Sequence, residues 1–134
     1  MNADRALLIN SDISEAVLGC FFDVYNELGP GFLESVYENA MTLALQEAGY
    51  DVSQQVALTV WFRGQAVGDF RADLIVGSSL VVEIKAVSQI HSAHEVQLVN
   101  YLKASRIEVG LLLNFGPRPQ FKRRVLALTG SDQR

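Results

Sequence analysis

The sequence predicts an α+β fold in which helices flank a mixed sheet. Three observations carry this reading. Two segments with helical spacing of apolar residues open the chain, and three strand-like runs joined by short turns follow. One further helical segment then precedes the continuous apolar run Val109–Phe115, which reads as a buried strand.

The first helix starts at Ser11-Asp12-Ile13-Ser14-Glu15, with Ser11 or Asp12 as N-cap and Glu15 in the first turn. Ile13, Val17, Cys20, Phe21, Val24 and Leu28 then form one apolar face, and Gly29-Pro30-Gly31 stops it. The spacing predicts a second helix from Phe32 to Ala48, with Leu33, Val36, Tyr37, Ala40 and Ala44 inward and Gly49 ending it. Val56, Leu58, Val60 and Phe62 alternate along a first strand, and Arg63-Gly64-Gln65 is a turn. Val67–Val76 is the second strand, Gly77-Ser78-Ser79 a turn, and Leu80–Ala86 the third strand. Loops this short specify an antiparallel meander. His91–Lys103 reads as a helix, Val109–Phe115 as a strand and Gly116-Pro117-Arg118-Pro119 as a loop. Phe121–Leu128 is an edge strand or the start of a last element, and the polar tail Thr129–Arg134 is expected to fray.

A chain of 134 residues fits one domain, residues 1–134, with a core of its own. Its 49% hydrophobic and 19% charged residues are a globular composition and exclude a disordered chain. No apolar stretch reaches the roughly 20 residues of a membrane span, and Met1-Asn2-Ala3-Asp4-Arg5 shows no basic leader of a signal peptide. The lone Cys20 leaves no internal disulfide, which suits a reducing compartment and a cytoplasmic protein. A formal charge of −4 argues against a broad phosphate-binding surface, so any nucleic-acid footprint is a local patch. Lys122, Arg123 and Arg124 are its best candidates, with Lys103, Arg106 and Arg118 elsewhere. No GxGxxG or GxxxxGK[ST] loop is present, which removes support for a nucleotide-cofactor enzyme.

The chemistry concentrates in Leu80-Val81-Val82-Glu83-Ile84-Lys85-Ala86. Strand alternation puts Val81, Glu83 and Lys85 on one face and Val82, Ile84 and Ala86 on the other. Ions in so apolar a strand cost several kcal/mol unless they are paired or hold a metal. Asp73 lies within the neighbouring apolar run Ala72–Val76. Two carboxylates suffice as direct ligands for Mg²⁺ (or Mn²⁺), and a lysine on the same side orients or deprotonates an attacking water. A Glu–Lys pair on a solvated sheet face would show the same spacing, and Asp73 is what brings the metal reading level with it. Glu34 falls on a stripe with Tyr37, Met41 and Leu45, pointing it toward the sheet, although a glutamate in a first helical turn also suits the helix dipole. Gln97 and Tyr101 share a helix face with His94 one turn earlier; a buried glutamine needs a partner such as a phosphate oxygen. His91 and His94, without cysteine or a third histidine, do not make a zinc site.

Gly31-x-x-Glu34-x-x-Tyr37, then Asp73, Glu83-Ile84-Lys85 and Gln97-x-x-x-Tyr101, resemble in order the motifs of the bacterial GxxExxY proteins, a branch of the PD-(D/E)XK nuclease superfamily. The resemblance runs from about Ile13 to Arg124, and Ala72 stands where a proline would precede Asp73. It implies a restriction-endonuclease-like αβββαβ core with Glu34, Asp73, Glu83, Lys85 and Gln97 converging on one metal site. Asp73, Glu83 and the Ile84 carbonyl would be ligands, Glu34 would orient a water, and Tyr37 and Tyr101 would support the acids. The activity implied is metal-dependent cleavage of DNA, less readily RNA, with a homodimer or a protein partner helping to hold a long duplex. The rival reading is a catalytically silent or partner-dependent interaction module on the same fold.

Overall fold

The computed structural model describes residues 10–128. The N-terminal residues read for a leader and the polar tail from Thr129 lie outside the described residues. Two helices, α1 (Ser11–Leu28) and α2 (Glu34–Glu47), precede strands β1 (Val52–Phe62), β2 (Gln65–Val76) and β3 (Leu80–Lys85). Helix α3 (Ser92–Ser105) then leads to β4 (Val109–Phe115) and β5 (Pro119–Val125). The five strands stand in sequence order in one sheet. β1–β2, β2–β3 and β4–β5 pair antiparallel, while β3–β4 pair parallel, as the α3 crossover requires. The fold is α+β with a mixed sheet between helices.

Each face of the sheet has its own apolar layer. Val17, Phe21 and Val24 of α1 and Tyr37, Met41 and Leu45 of α2 pack on Leu74, Val76, Val82, Ile84, Leu111 and Leu113. On the other face, Leu98, Tyr101 and Leu102 of α3 pack on Leu58, Ala72, Val81 and Leu112. The alternation expected along β3 therefore holds, and Glu83 and Lys85 fall on the α3 face. Gly110 lets α3 approach closely: a Cβ there would stand 2.7 Å from Leu98 Cδ1. No helix among the described residues is long and apolar enough to cross a membrane.

Several boundaries differ from expectation. Asn10, not Ser11 or Asp12, is the N-cap of α1, and Leu28 stays exposed at the far end. Helix α2 begins at Glu34 instead of Phe32, because the Tyr37 hydroxyl holds the preceding turn: it donates to Gly29 O (2.6 Å) and accepts from Phe32 N–H (3.1 Å). Its inward row is consequently Tyr37, Met41 and Leu45, while Leu33 is 79% exposed and Val36 is also exposed. The β1–β2 hairpin is longer than the alternation alone indicated and closes on Arg63 and Gly64, both with positive φ, a two-residue turn whose twist matches the strands. His91 is the N-cap of α3, and β5 starts at Pro119, which an edge strand tolerates.

Candidate active site

The β2–β3 ladder runs Val76↔Leu80, Ile75↔Val81, Leu74↔Val82 and stops before the next pair, Asp73 and Glu83. There the side chains take over from the backbone. Asp73 N–H donates to Glu83 Oε1 (2.9 Å), and Ile84 N–H donates to Asp73 Oδ2 (2.8 Å). The strands part where the carboxylates insert, and both acids are fixed by the sheet itself. Glu83 is only 3% exposed. Burial, and then the charge of Asp73, push its carboxyl up to about 9, partly offset by the Asp73 amide and Lys85.

Lys85, two residues on and therefore on the same face, donates from Nζ to Gln97 Oε1 (3.3 Å). Tyr101, one turn beyond Gln97, is buried against Phe70 with ring centroids 5.5 Å apart. Burial raises its phenol, and Glu83 and Asp73 raise it further, which places it within electrostatic reach of both acids. Burial lowers His94, with Lys85 and His91 acting in the same sense and Glu34 opposing. His94 Nδ1 accepts from His91 N–H (3.1 Å) in a reciprocal cap of α3, so this pair organises a helix start.

On the far side of Asp73 the strand pattern breaks. Gln55 of β1 stands across from Asp73 with φ 52°, between the pairs Gln54↔Leu74 and Val56↔Ala72. Its amide donates to Asp73 Oδ1 (3.3 Å) and to Glu38 Oε1 (2.7 Å), and Arg71 holds its carbonyl (2.9 Å). Gln54 donates to Glu38 Oε2 (3.2 Å). Burial raises the Glu38 carboxyl, with Asp73 and Glu34 adding to the shift and the two glutamine bonds opposing it. Gln55 and Glu38 are thus attached to the site although no sequence motif names them. Glu38 is one turn beyond Glu34 on the same helix face, a spacing that was open to reading. The left-handed backbone of Gln55 left no such sign.

The segment leaving Lys85 is clamped from β4. Buried Asn114, the register partner of Lys85, accepts from Val87 N–H (2.9 Å) and donates to Val87 O (2.9 Å). A Cβ on Gly116 would stand 2.0 Å from Val87 O, so only glycine admits this approach. Tyr25 donates to the carbonyls of Gly116 and Pro117.

Of the expected residues, Asp73, Glu83, Lys85, Gln97 and Tyr101 gather in one place. Glu34 is exposed at the start of α2, within electrostatic range of Glu38 and His94. Tyr37 does not touch the acids: it lies in the other layer, stacked on Phe115 at 4.3 Å, with its hydroxyl spent on the α1–α2 turn. Nor do Lys122, Arg123 and Arg124 form one patch. They alternate along β5, and Arg124 is bonded to Glu95 of α3.

The donors suit a hard divalent cation. Asp73 and Glu83 offer oxygen only, and a buried carboxylate whose charge is disfavoured is relieved by a cation beside it. The Ile84 side chain is in the α1–α2 core, so only its backbone is available as a ligand. Among the described residues no three His, Cys, Asp or Glu side chains are grouped to hold a metal, as a zinc centre would demand.

Residues 11–125 match the family model of the PD-(D/E)XK nuclease superfamily. The chain belongs to that superfamily. In the order of the superfamily's name, Ala72-Asp73 and Glu83-Ile84-Lys85 stand at the letters, with alanine in place of proline. Its fold is similar to that of SSO0001, whose crystal structure superposes with a TM-score of 0.57 at 21% identity. That match covers 95% of this chain and 64% of SSO0001, so the chain spans under two thirds of the larger protein. No curated protein matches the sequence.

Proposed function

We propose that this superfamily member is a metal-dependent nuclease that hydrolyses phosphodiester bonds, in DNA ahead of RNA, with Mg²⁺ or Mn²⁺ held by Asp73, Glu83 and the Ile84 carbonyl. The observation that carries the reading is the reciprocal backbone bonding of Asp73 and Glu83, which fixes two acids and Lys85 at one opening of the sheet. A bound divalent cation supplies Lewis acidity at the phosphoryl oxygens and lowers the pKa of water.

The protein's own groups do the rest. Gln97 steers the Lys85 ammonium, which meets the anionic phosphate or the attacking water. Gln55 joins Glu38 to Asp73 and holds that acid's outer oxygen. Glu34, at the mouth, orients water from solvent. The finer assignment is to the GxxExxY branch, because Gly31 (φ 111°) and the Tyr37 hydroxyl shape the turn that leads into α2 at Glu34, and a cytoplasmic setting fits the free thiol of Cys20.

The charge of −4 favours a second reading, a catalytically silent or partner-dependent interaction module on the same fold. The two readings part in one assay. Labelled single-stranded, duplex, nicked and branched DNA and RNA are incubated with Mg²⁺ or Mn²⁺, beside the Asp73→Ala/Glu83→Ala protein. Metal-dependent cutting lost in the variant is the expected result; no cutting by the parent protein transfers the case to the module.

A further inference from the structure

Asn100 stands one turn beyond Gln97 on α3, and Lys103 and Ala104 follow a further turn on. These residues form one wall of a cleft of about 700 Å³, whose other wall is the β1–β2 hairpin with Trp61, Val67 and Phe70. Arg106, just past the end of α3, closes the cationic side. Phe70 connects the cleft to the acids, since its ring meets that of Tyr101. At the helical rise, Lys103 lies about 9 Å along α3 from Gln97, within the reach of neighbouring nucleotides.

We propose that this cleft binds an unpaired stretch of nucleic acid beside the cleaved bond, with a base stacked on Trp61 and phosphates at Lys103 and Arg106. The inference rests on the nuclease reading of the Asp73–Glu83 site and names its substrate as single-stranded or frayed. Trp61 lines the cleft and is still 66% exposed, an aromatic face open to a flat partner. A duplex shows its base edges in the grooves and keeps the base faces stacked, so only an unpaired base offers a face. Among the described residues neither Lys103 nor Arg106 makes an ion pair. Two free cations beside an aromatic wall, on a chain of net charge −4, suit a short strand and not a long duplex footprint.

Trp61 is the chain's sole tryptophan, so its emission reports this cleft alone. The metal-free Asp73→Asn protein is titrated with a short oligodeoxythymidine and with a blunt duplex of equal length. Quenching by the single strand is expected, with affinity roughly tenfold above that for the duplex. Trp61→Leu should weaken single-strand binding roughly tenfold, read by anisotropy of a labelled strand. Lys103→Gln/Arg106→Gln should reduce the slope of log affinity against log salt by about 1.4, as two single-strand phosphate contacts require. Circular dichroism checks each variant, and if Trp61→Leu fails to fold, the double glutamine variant carries the test. Equal affinity for the blunt duplex, unquenched emission or an unchanged salt slope overturns the proposal. So does a Trp61→Leu protein that loses self-association while keeping its affinity for the strand, which would give the cleft to a second copy of the chain. Strand binding by a parent protein that cuts nothing supports the cleft and removes the nuclease reading; cutting indifferent to Trp61→Leu removes the cleft alone.

Discussion

Asp73 and Glu83 each occupy a backbone hydrogen-bonding place on the other's strand: Glu83 Oε1 takes the Asp73 N–H, and Asp73 Oδ2 takes the N–H of Ile84. Two carboxyl groups are thereby built into the sheet at the point where its ladder ends. A carboxylate held by a backbone amide has a fixed direction but keeps its remaining oxygen for another partner. The cost falls on Glu83, which is buried beside a second acid.

That cost makes stability depend on pH. Glu83 has a folded-state value of about 9 against an ordinary 4.5, so the metal-free fold binds a proton that the unfolded chain releases. Its contribution is fully present below about 4.5 and is lost as pH rises through about 9. Glu38 is shifted in the same direction and adds to the trend. The metal-free protein is expected to lose Tm steadily across this window, whereas Glu83→Gln, which keeps an oxygen for the Asp73 amide, should flatten the curve. Parallel curves for the two proteins in thermal melts would falsify this account of Glu83.

A divalent cation competes with that proton. Mg²⁺ or Mn²⁺ should raise Tm, and by more at the alkaline end of the window than at the acid end, because metal binding releases the proton. Asp73→Asn and Glu83→Gln are expected to abolish the rise. Gln55→Ala, which frees the outer oxygen of Asp73 and uncouples Glu38, should weaken metal affinity by roughly tenfold. Calorimetric titration at two pH values measures all three, and an unchanged affinity in Gln55→Ala would detach Gln55 from the site.

The acids, the lysine and the glutamine were legible because strand alternation and helical spacing are set by local geometry. Charges inside Leu80–Lys85 stand out against an apolar run. Tyr37 shows the limit of that reasoning. Its stripe with Glu34, Met41 and Leu45 faced the sheet and the family resemblance implied support of the acids, yet its ring belongs to the opposite layer and its hydroxyl to the Gly29–Phe32 turn. Gln55 was hidden for another reason: its left-handed backbone falls inside β1, and glutamine has no strong preference that announces it. The basic run near the end misled because three successive cations on a strand cannot share a face.

Lys85 and Gln97 should behave as one unit. Lys85→Met removes the ammonium and is expected to lower kcat/KM at least roughly a hundredfold. Gln97→Leu leaves the ammonium but not its direction, and a loss of roughly tenfold is expected. Because Gln97 acts through Lys85, the double variant should be no worse than Lys85→Met alone. A further loss in the double variant, on the same substrate, would mean that Gln97 has its own contact with the reacting group.

Tyr37→Phe separates scaffold from chemistry within the Gly31–Tyr37 motif. Phenylalanine keeps the stack on Phe115 but leaves Gly29 O and Phe32 N–H without the hydroxyl that joins them. The expected loss is about 1–3 kcal/mol of stability by denaturant unfolding, the range for a hydrogen-bond partner removed at a part-buried site. The turn sets where α2 begins, and so where Glu34 and Glu38 stand. A small change in metal affinity should therefore accompany the loss, while kcat of the folded fraction stays within a few-fold of the parent. A well-folded Tyr37→Phe protein with kcat reduced a hundredfold would instead place this hydroxyl among the reacting groups, against its bonding in the structure.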